Sequence, residues 1–139
     1  MAEARAVATG SADAPTEPSV FTRILQGEIP GEIVLQTEDA FVLRDIAPKA
    51  PLHLLVIPKT DAYADVVELA ADDPKLLAHL VEVARLAANQ AGHSDFRLIF
   101  NTGPAAGQTV FHVHAHVLAG DLDEGTMTAG MAADEERTS

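Results

Sequence analysis

At 139 residues, 47% of them apolar, the chain is sized for one domain with a single core, and its 21 acidic against 9 basic residues give a formal charge of -12. That charge repels polyanions and argues against a surface that tracks DNA, RNA or an anionic membrane, while leaving room for a small anion in a local pocket. No stretch approaches the ~18 apolar residues of a membrane span, and the absence of cysteine removes disulfides, thiolate zinc sites and cysteine nucleophiles.

Residues 1–18 are rich in Ala, Ser, Thr and Pro without a periodic apolar face, and read as a flexible leader. They also lack the apolar block of a secretory signal, so a cytoplasmic protein is expected. The domain is expected over 19–120, followed by an acidic tail at 121–139. Ser19 is placed to cap a short helix carrying Phe21, Ile24 and Leu25, which Gly27 ends, and Pro30-Gly31 marks a turn. Ile33 to Gln36 and Ala40 to Arg44 predict a hairpin. Prolines 48 and 51 make the next segment a loop. Leu52 to Ile57 is apolar on both faces and predicts a buried strand, on which His53 is a polar member that needs a partner.

Pro74 to Gln90 predicts the long helix, with Asp73 as N-cap, Pro74 at the first helical position and Gly92 past the end. Its apolar stripe leaves His79 on the solvent side, and His93, in the following turn, reads as solvated too. Phe96 to Asn101 and Val110 to Leu118 predict two more strands joined by a glycine-containing loop. The fold class that results is α+β: a mostly antiparallel five-stranded sheet with one long and one short helix.

On an extended chain His112, His114 and His116 project from one face at intervals of ~7 Å, with Phe111, Val113, Ala115 and Val117 on the other. Three buried imidazoles need partners, because each neutral ring carries a donor and an acceptor. Two chemistries use such a row. Alternating histidines can converge on zinc or iron. Alternatively, an unprotonated imidazole can attack phosphorus while its neighbours stabilise charge or deliver a proton. The preceding loop favours the second, since Gly103 and Gly107 allow main-chain N–H groups close to an anion and Thr109 adds a hydroxyl.

The run His112-Val113-His114-Ala115-His116-Val117-Leu118 fits the His-φ-His-φ-His-φ-φ pattern of the histidine triad superfamily, where φ is apolar. The resemblance extends from Phe21 to Gly120 through Gly27-Glu28-Ile29-Pro30, Asp45 to Pro51, His53 to Lys59 and Asn101-Thr102-Gly103. It is most similar to the Hint branch, the nucleoside phosphoramidate hydrolases. The resemblance implies a homodimer whose two sheets join, a bound purine nucleoside 5′-monophosphate, and no metal or other cofactor. It implies that His114 is the nucleophile, that His116 contacts the phosphate, and that His112 joins His53 in a network orienting the nucleophile. By the same likeness Asn101, Gly107, Gln108 and Thr109 hold the phosphate and leaving group, and Asp45 grips the ribose. Phe21, Ile24, Leu43 and Ile46 then enclose the base.

Thr109 stands where relatives often have Ser, Leu43 replaces a frequent aromatic, and the branch's Trp-Pro-Pro-Gly ending does not follow Gly120. The function so implied is hydrolysis of purine nucleoside 5′-phosphoramidates and related conjugates through a nucleotidylated His114. Two alternatives stand beside it: a dinucleoside polyphosphate hydrolase, and a purine nucleotide-binding partner protein with incidental turnover. No nucleic acid polymer and no membrane is expected as a partner.

Overall fold

The computed structural model describes residues 17–124, so the expected leader, residues 17 and 18 apart, and the tail from 125 onward lie outside the described residues. In chain order the elements are α1 (Val20–Leu25), β1 (Ile33–Gln36), β2 (Ala40–Arg44), β3 (Leu52–Pro58), α2 (Val66–Asp72), α3 (Pro74–Gln90), β4 (Arg97–Phe100), a 3₁₀ turn (Pro104–Ala106) and β5 (Ala115–Ala119). The sheet runs β1-β2-β3-β5-β4 and every pairing is antiparallel. Its five strands and long helix agree with the expected α+β class. Among the described residues no helix is long and apolar enough to cross a membrane.

The period of two along β2 and β3 builds two cores. Ala40, Val42, Leu52, Leu54 and Val56 face α3, where they meet Leu80, Val83, Ala84 and Ala87. Phe41, Leu43, Leu55 and Ile57 face the other way and are covered by Phe21 of α1, with Ile24 and Leu25 packed beside it. All seven residues of β3 are buried, as expected for a strand with a layer on each face. β5 obeys the same rule: Ala115, Val117 and Ala119 join the α3 core, which turns His116 to the α1 side.

Three expectations need correction. A second short helix, α2, was not anticipated; Asp65 caps it by accepting from the Glu68 N–H at 2.9 Å, and Glu68 Oε1 accepts from the Ala64 N–H at 2.9 Å. The last strand is shorter than Val110 to Leu118, because β3 and β4 supply ladder partners only as far back as Ala115. Phe111, in the stretch ahead of that ladder, is accordingly 48% exposed and not turned into the core. His79, expected to be merely solvated, is half-buried and its Nε2 lies 2.8 Å from Thr37 Oγ1, tying α3 to the β1–β2 turn.

Burial along α3 yields a direct check. Leu80→Ala opens a hole between helix and sheet and should cost about 2–5 kcal/mol of stability. Val81→Ala, on the exposed side of the same helix, should cost less than about 0.5 kcal/mol. Urea denaturation of the two variants reads the difference; similar losses would show that α3 does not pack as described.

Candidate active site

The register carries four polar side chains into one row across the α1 face of the sheet. Asp45 continues the β2–β3 ladder, its N–H donating to the His53 carbonyl at 3.0 Å, so its side chain stands beside that of His53. Leu55 pairs with His116 and His53 with Leu118, which makes His53 and His116 diagonal neighbours on adjacent strands. His114 follows two residues before His116, with ring centroids 5.3 Å apart. Phe21 closes the end of the row, its ring 4.9 Å from that of His114 and 5.7 Å from that of His112.

Main-chain partners decide which ring nitrogen carries each proton. The Lys49 N–H donates to His53 Nδ1 at 3.0 Å, so neutral His53 carries its proton on Nε2. That Nε2 lies 2.9 Å from His116 Nδ1 and 3.3 Å from Asp45 Oδ2. His116 Nδ1 is thereby the acceptor, and its Nε2 keeps a proton to donate. His114 Nδ1 is 2.9 Å from the His112 carbonyl, which can only accept; Nδ1 is the protonated atom and Nε2 holds a free lone pair.

The implied His112–His53 network is not formed. His53 pairs with His116, whereas fully buried His112 is held by Ser19 Oγ at 2.5 Å on Nδ1 and by the Pro58 carbonyl at 2.9 Å on Nε2. The reason is register, which puts His53 and His116 side by side on the sheet and His112 beyond its end.

Burial lowers the pKa of all four rings. For His53 the loss of solvation outweighs the raising effect of Asp45, and for His112 and His114 it outweighs their carbonyl hydrogen bonds. His116 is pushed down to about 4, first by burial and then by the neighbouring His114 and His53. The four rings are therefore neutral at pH 7, as a nucleophilic imidazole must be.

The residues expected to hold a nucleotide divide into two sets. Asn101 Nδ2 lies beside Gly107, at ordinary contact distance from where a Cβ would stand, and Gly107 adopts φ +98°, a conformation that favours glycine. Thr109 is exposed on the same loop. Gln108 differs from its expected role: its side chain is buried and serves the loop, accepting from the Gly103 N–H at 2.8 Å and donating to the Ala64 and Val110 carbonyls at 2.6 and 3.1 Å. Three of the loop's main-chain donors are engaged as well, the N–H groups of Ala106, Gly107 and Gln108 donating to the Gly103 and Pro104 carbonyls. The expected cradle of glycine-loop N–H groups is thus largely spent on shaping the loop.

On the other side of the row, Asp45 Oδ1 accepts from the Ala47 N–H at 2.7 Å, a turn that shapes the loop carrying Ile46. Ile46 is 94% exposed, Ile24 is half-buried, and Phe21 and Leu43 lie in the apolar floor beneath. Asp45, His53 and His116 also bring one ligand atom each within 4.8 Å of one another, a cluster that sequence reasoning missed because the residues come from three different segments. Its chemistry suits a divalent cation, but His53 Nε2 and His116 Nδ1 are occupied with each other, and a metal would have to replace that bond.

Neutral burial of the rings makes the fold sensitive to acid. Released by unfolding, each ring binds a proton near its ordinary value of 6.5, whereas in the fold it stays neutral to lower pH. The stability that these rings contribute is complete above 6.5 and declines as pH falls from 6.5 towards about 4, where folded His116 is protonated as well. Urea denaturation between pH 7.5 and 4.5 should show this decline, with a shallower slope for His116→Gln; equal slopes would mean that His116 is not a source of it.

Known proteins supply an independent test. The family model described as "Scavenger mRNA decapping enzyme C-term binding" matches residues 18–132. The purine nucleoside phosphoramidase of Escherichia coli K12 is 38% identical over 106 residues, 75% of this chain and 88% of that protein. A 14 kDa zinc-binding protein of Zea mays is 37% identical over 105 residues, 74% of this chain and 82% of that one. Among solved structures, a HIT family hydrolase from Clostridium thermocellum superposes with a TM-score of 0.73 at 39% identity, covering 80% of this chain and 96% of its own. With the motif, the sheet and these relatives in agreement, the chain belongs to the histidine triad (HIT) family.

Proposed function

We propose that this protein hydrolyses purine nucleoside 5′-phosphoramidates and related nucleotide conjugates through a covalent intermediate on His114. The observation that carries the reading is the bond from His114 Nδ1 to the His112 carbonyl, which places the neutral ring's proton on Nδ1 and leaves the Nε2 lone pair free, while burial keeps the ring uncharged. Nε2 attacks phosphorus and the bond from phosphorus to the leaving amine breaks, the amine taking a proton from solvent that the water consumed in the second step gives back. Water then cleaves the phosphorus–nitrogen bond to His114, releasing the nucleoside monophosphate and the free imidazole. His116 Nε2–H is the donor for the phosphate oxygens, oriented by the His53 proton on its other nitrogen. Asn101 and the Thr109 hydroxyl serve the phosphate and leaving group; Gln108 serves them by holding their loop. Asp45 binds the ribose hydroxyls, and Ile46, Ile24, Leu43 and Phe21 border the base.

The phosphoramidase identity of the Escherichia coli relative supports this substrate class. We infer also that two copies pair through β4, which among the described residues is an edge strand with the main-chain groups of one side open to a second sheet. A second reading rests on the Asp45–His53–His116 cluster and on the name of the Zea mays relative: a divalent-cation centre at the same place. Chelation separates them, since the histidine mechanism runs at full rate in EDTA.

Intact-mass measurement after rapid quench with adenosine 5′-phosphoramidate should reveal one added nucleotidyl group. His114→Ala should lose the adduct and nearly all turnover yet still bind AMP, whereas His112→Ala and His116→Ala should form it roughly 10²- to 10³-fold more slowly. A few percent of activity in His114→Ala, or activity abolished by EDTA and restored by zinc, would overturn the assignment.

Asp45→Ala should weaken AMP binding by about 1.5–3 kcal/mol in calorimetry, the size of hydrogen bonds to a charged group. Equal affinity of the unmodified protein for AMP and its 2′,3′-dideoxy analogue would remove Asp45 from the ribose.

A further inference from the structure

Ser19 lies 93 residues from His112 in the chain, is half-buried, and plays no part in the reaction just described, yet its hydroxyl makes the shortest contact in the row. Its partner is fully buried His112, whose Nε2 faces the Pro58 carbonyl at 2.9 Å. A carbonyl only accepts, so His112 carries its proton on Nε2 and has none at Nδ1. The Ser19 hydroxyl must donate there, at 2.5 Å. The same oxygen accepts from the Thr22 N–H at 3.2 Å as the N-cap of α1. One atom thus begins the helix and closes the hydrogen bonding of the buried ring.

We propose that Ser19 is a positioning residue for the His114 nucleophile: its hydroxyl holds His112 as the Nε2–H tautomer, and the His112 carbonyl in turn aims His114. This inference rests on the reading of His114 given above. The linkage is short. The His112 ring is clamped at both nitrogens, its own carbonyl receives the His114 Nδ1–H at 2.9 Å, and the Phe21 ring, two residues after Ser19, lies edge-on to both rings. Without the hydroxyl, Nδ1 is a buried acceptor with no partner, a state relieved by turning the ring or shifting the segment that bears the carbonyl.

The test uses the full chain with Ala, Thr and Asp in turn at position 19. Thr retains both the cap and the donated proton. Asp caps a helix as well as Ser but, ionised, has no proton to give. Ser19→Ala should form the nucleotidyl adduct roughly tenfold more slowly, the loss of one hydrogen bond's worth of alignment, with AMP affinity unchanged. Ser19→Thr should recover the rate. Ser19→Asp should recover the part of the melting temperature that the cap supplies and not the rate. Nitrogen-15 spectra of histidine-labelled protein should place the His112 proton on Nε2 and show the Nδ1 signal moving in Ser19→Ala.

A wild-type rate in Ser19→Ala would overturn the proposal, and so would full rescue by Ser19→Asp, which would reduce Ser19 to a helix cap. If the unmodified chain forms no adduct, the hydrolase reading falls by itself. The His112 spectrum then decides the clamp, which stands if Nδ1 moves in Ser19→Ala and falls if it does not.

Discussion

Packing four imidazoles side by side, His53 and His112 buried and His114 and His116 half-buried, is the constraint on which the rest of this molecule depends. A neutral ring offers one donor and one acceptor, and in a dry setting each needs a partner of the opposite kind. The main chain provides the fixed points: the Lys49 N–H for His53, the Pro58 carbonyl for His112 and the His112 carbonyl for His114. Because an amide N–H can only donate and a carbonyl only accept, these contacts set the protonated nitrogen on three rings, and the His53–His116 pair sets the fourth. Burial then keeps every ring uncharged.

The early end of β5 belongs to the same arrangement. In a complete ladder the carbonyl of His112 would accept from a neighbouring strand and be lost to side chains. The ladder stops at Ala115, where β4 ends and β3 runs on to Pro58 paired with β2 alone, and the preceding residues are held by isolated bonds such as that from the Val113 N–H to the Tyr63 carbonyl. Alternation nonetheless persists, with Val113 in the α3 core and the histidines opposite. Chain that is extended but unpaired keeps its side chains in a row while freeing main-chain groups to orient them.

The elements most legible in the sequence were those governed by local rules. The N-caps Ser19 and Asp73, the Pro74 start of α3, the hairpin of β1 and β2 and the two-faced apolar run of β3 all follow from near neighbours. The Asp65–Glu68 pair that starts α2 was equally local and could have been read as a capping signal. The site was legible as a row of histidines, because spacing alone places them on one side. Their partners were not, since Asp45, His53 and His116 meet only through strand register, and Ser19 meets His112 only once α1 folds over the sheet. Gln108 illustrates the same limit: its type suits a phosphate site, and only the folded loop shows that its amide is committed to three main-chain groups.

How α1 reaches that position is itself a packing argument. Gly31 sits so close to the helix that a Cβ there would lie 2.6 Å from Ile24 Cγ2, far inside contact distance. Lacking one, the turn lets α1 lie flat on Phe41, Leu43, Leu55 and Ile57, which drives Phe21 into the sheet. Once Phe21 is buried, the direction of the helix leaves Ser19 at the end of the histidine row, where it meets His112. The apolar contacts that hold the helix down and the hydrogen bond that completes the row are consequences of one docking event, so the α1 core and the candidate nucleophile's alignment form together.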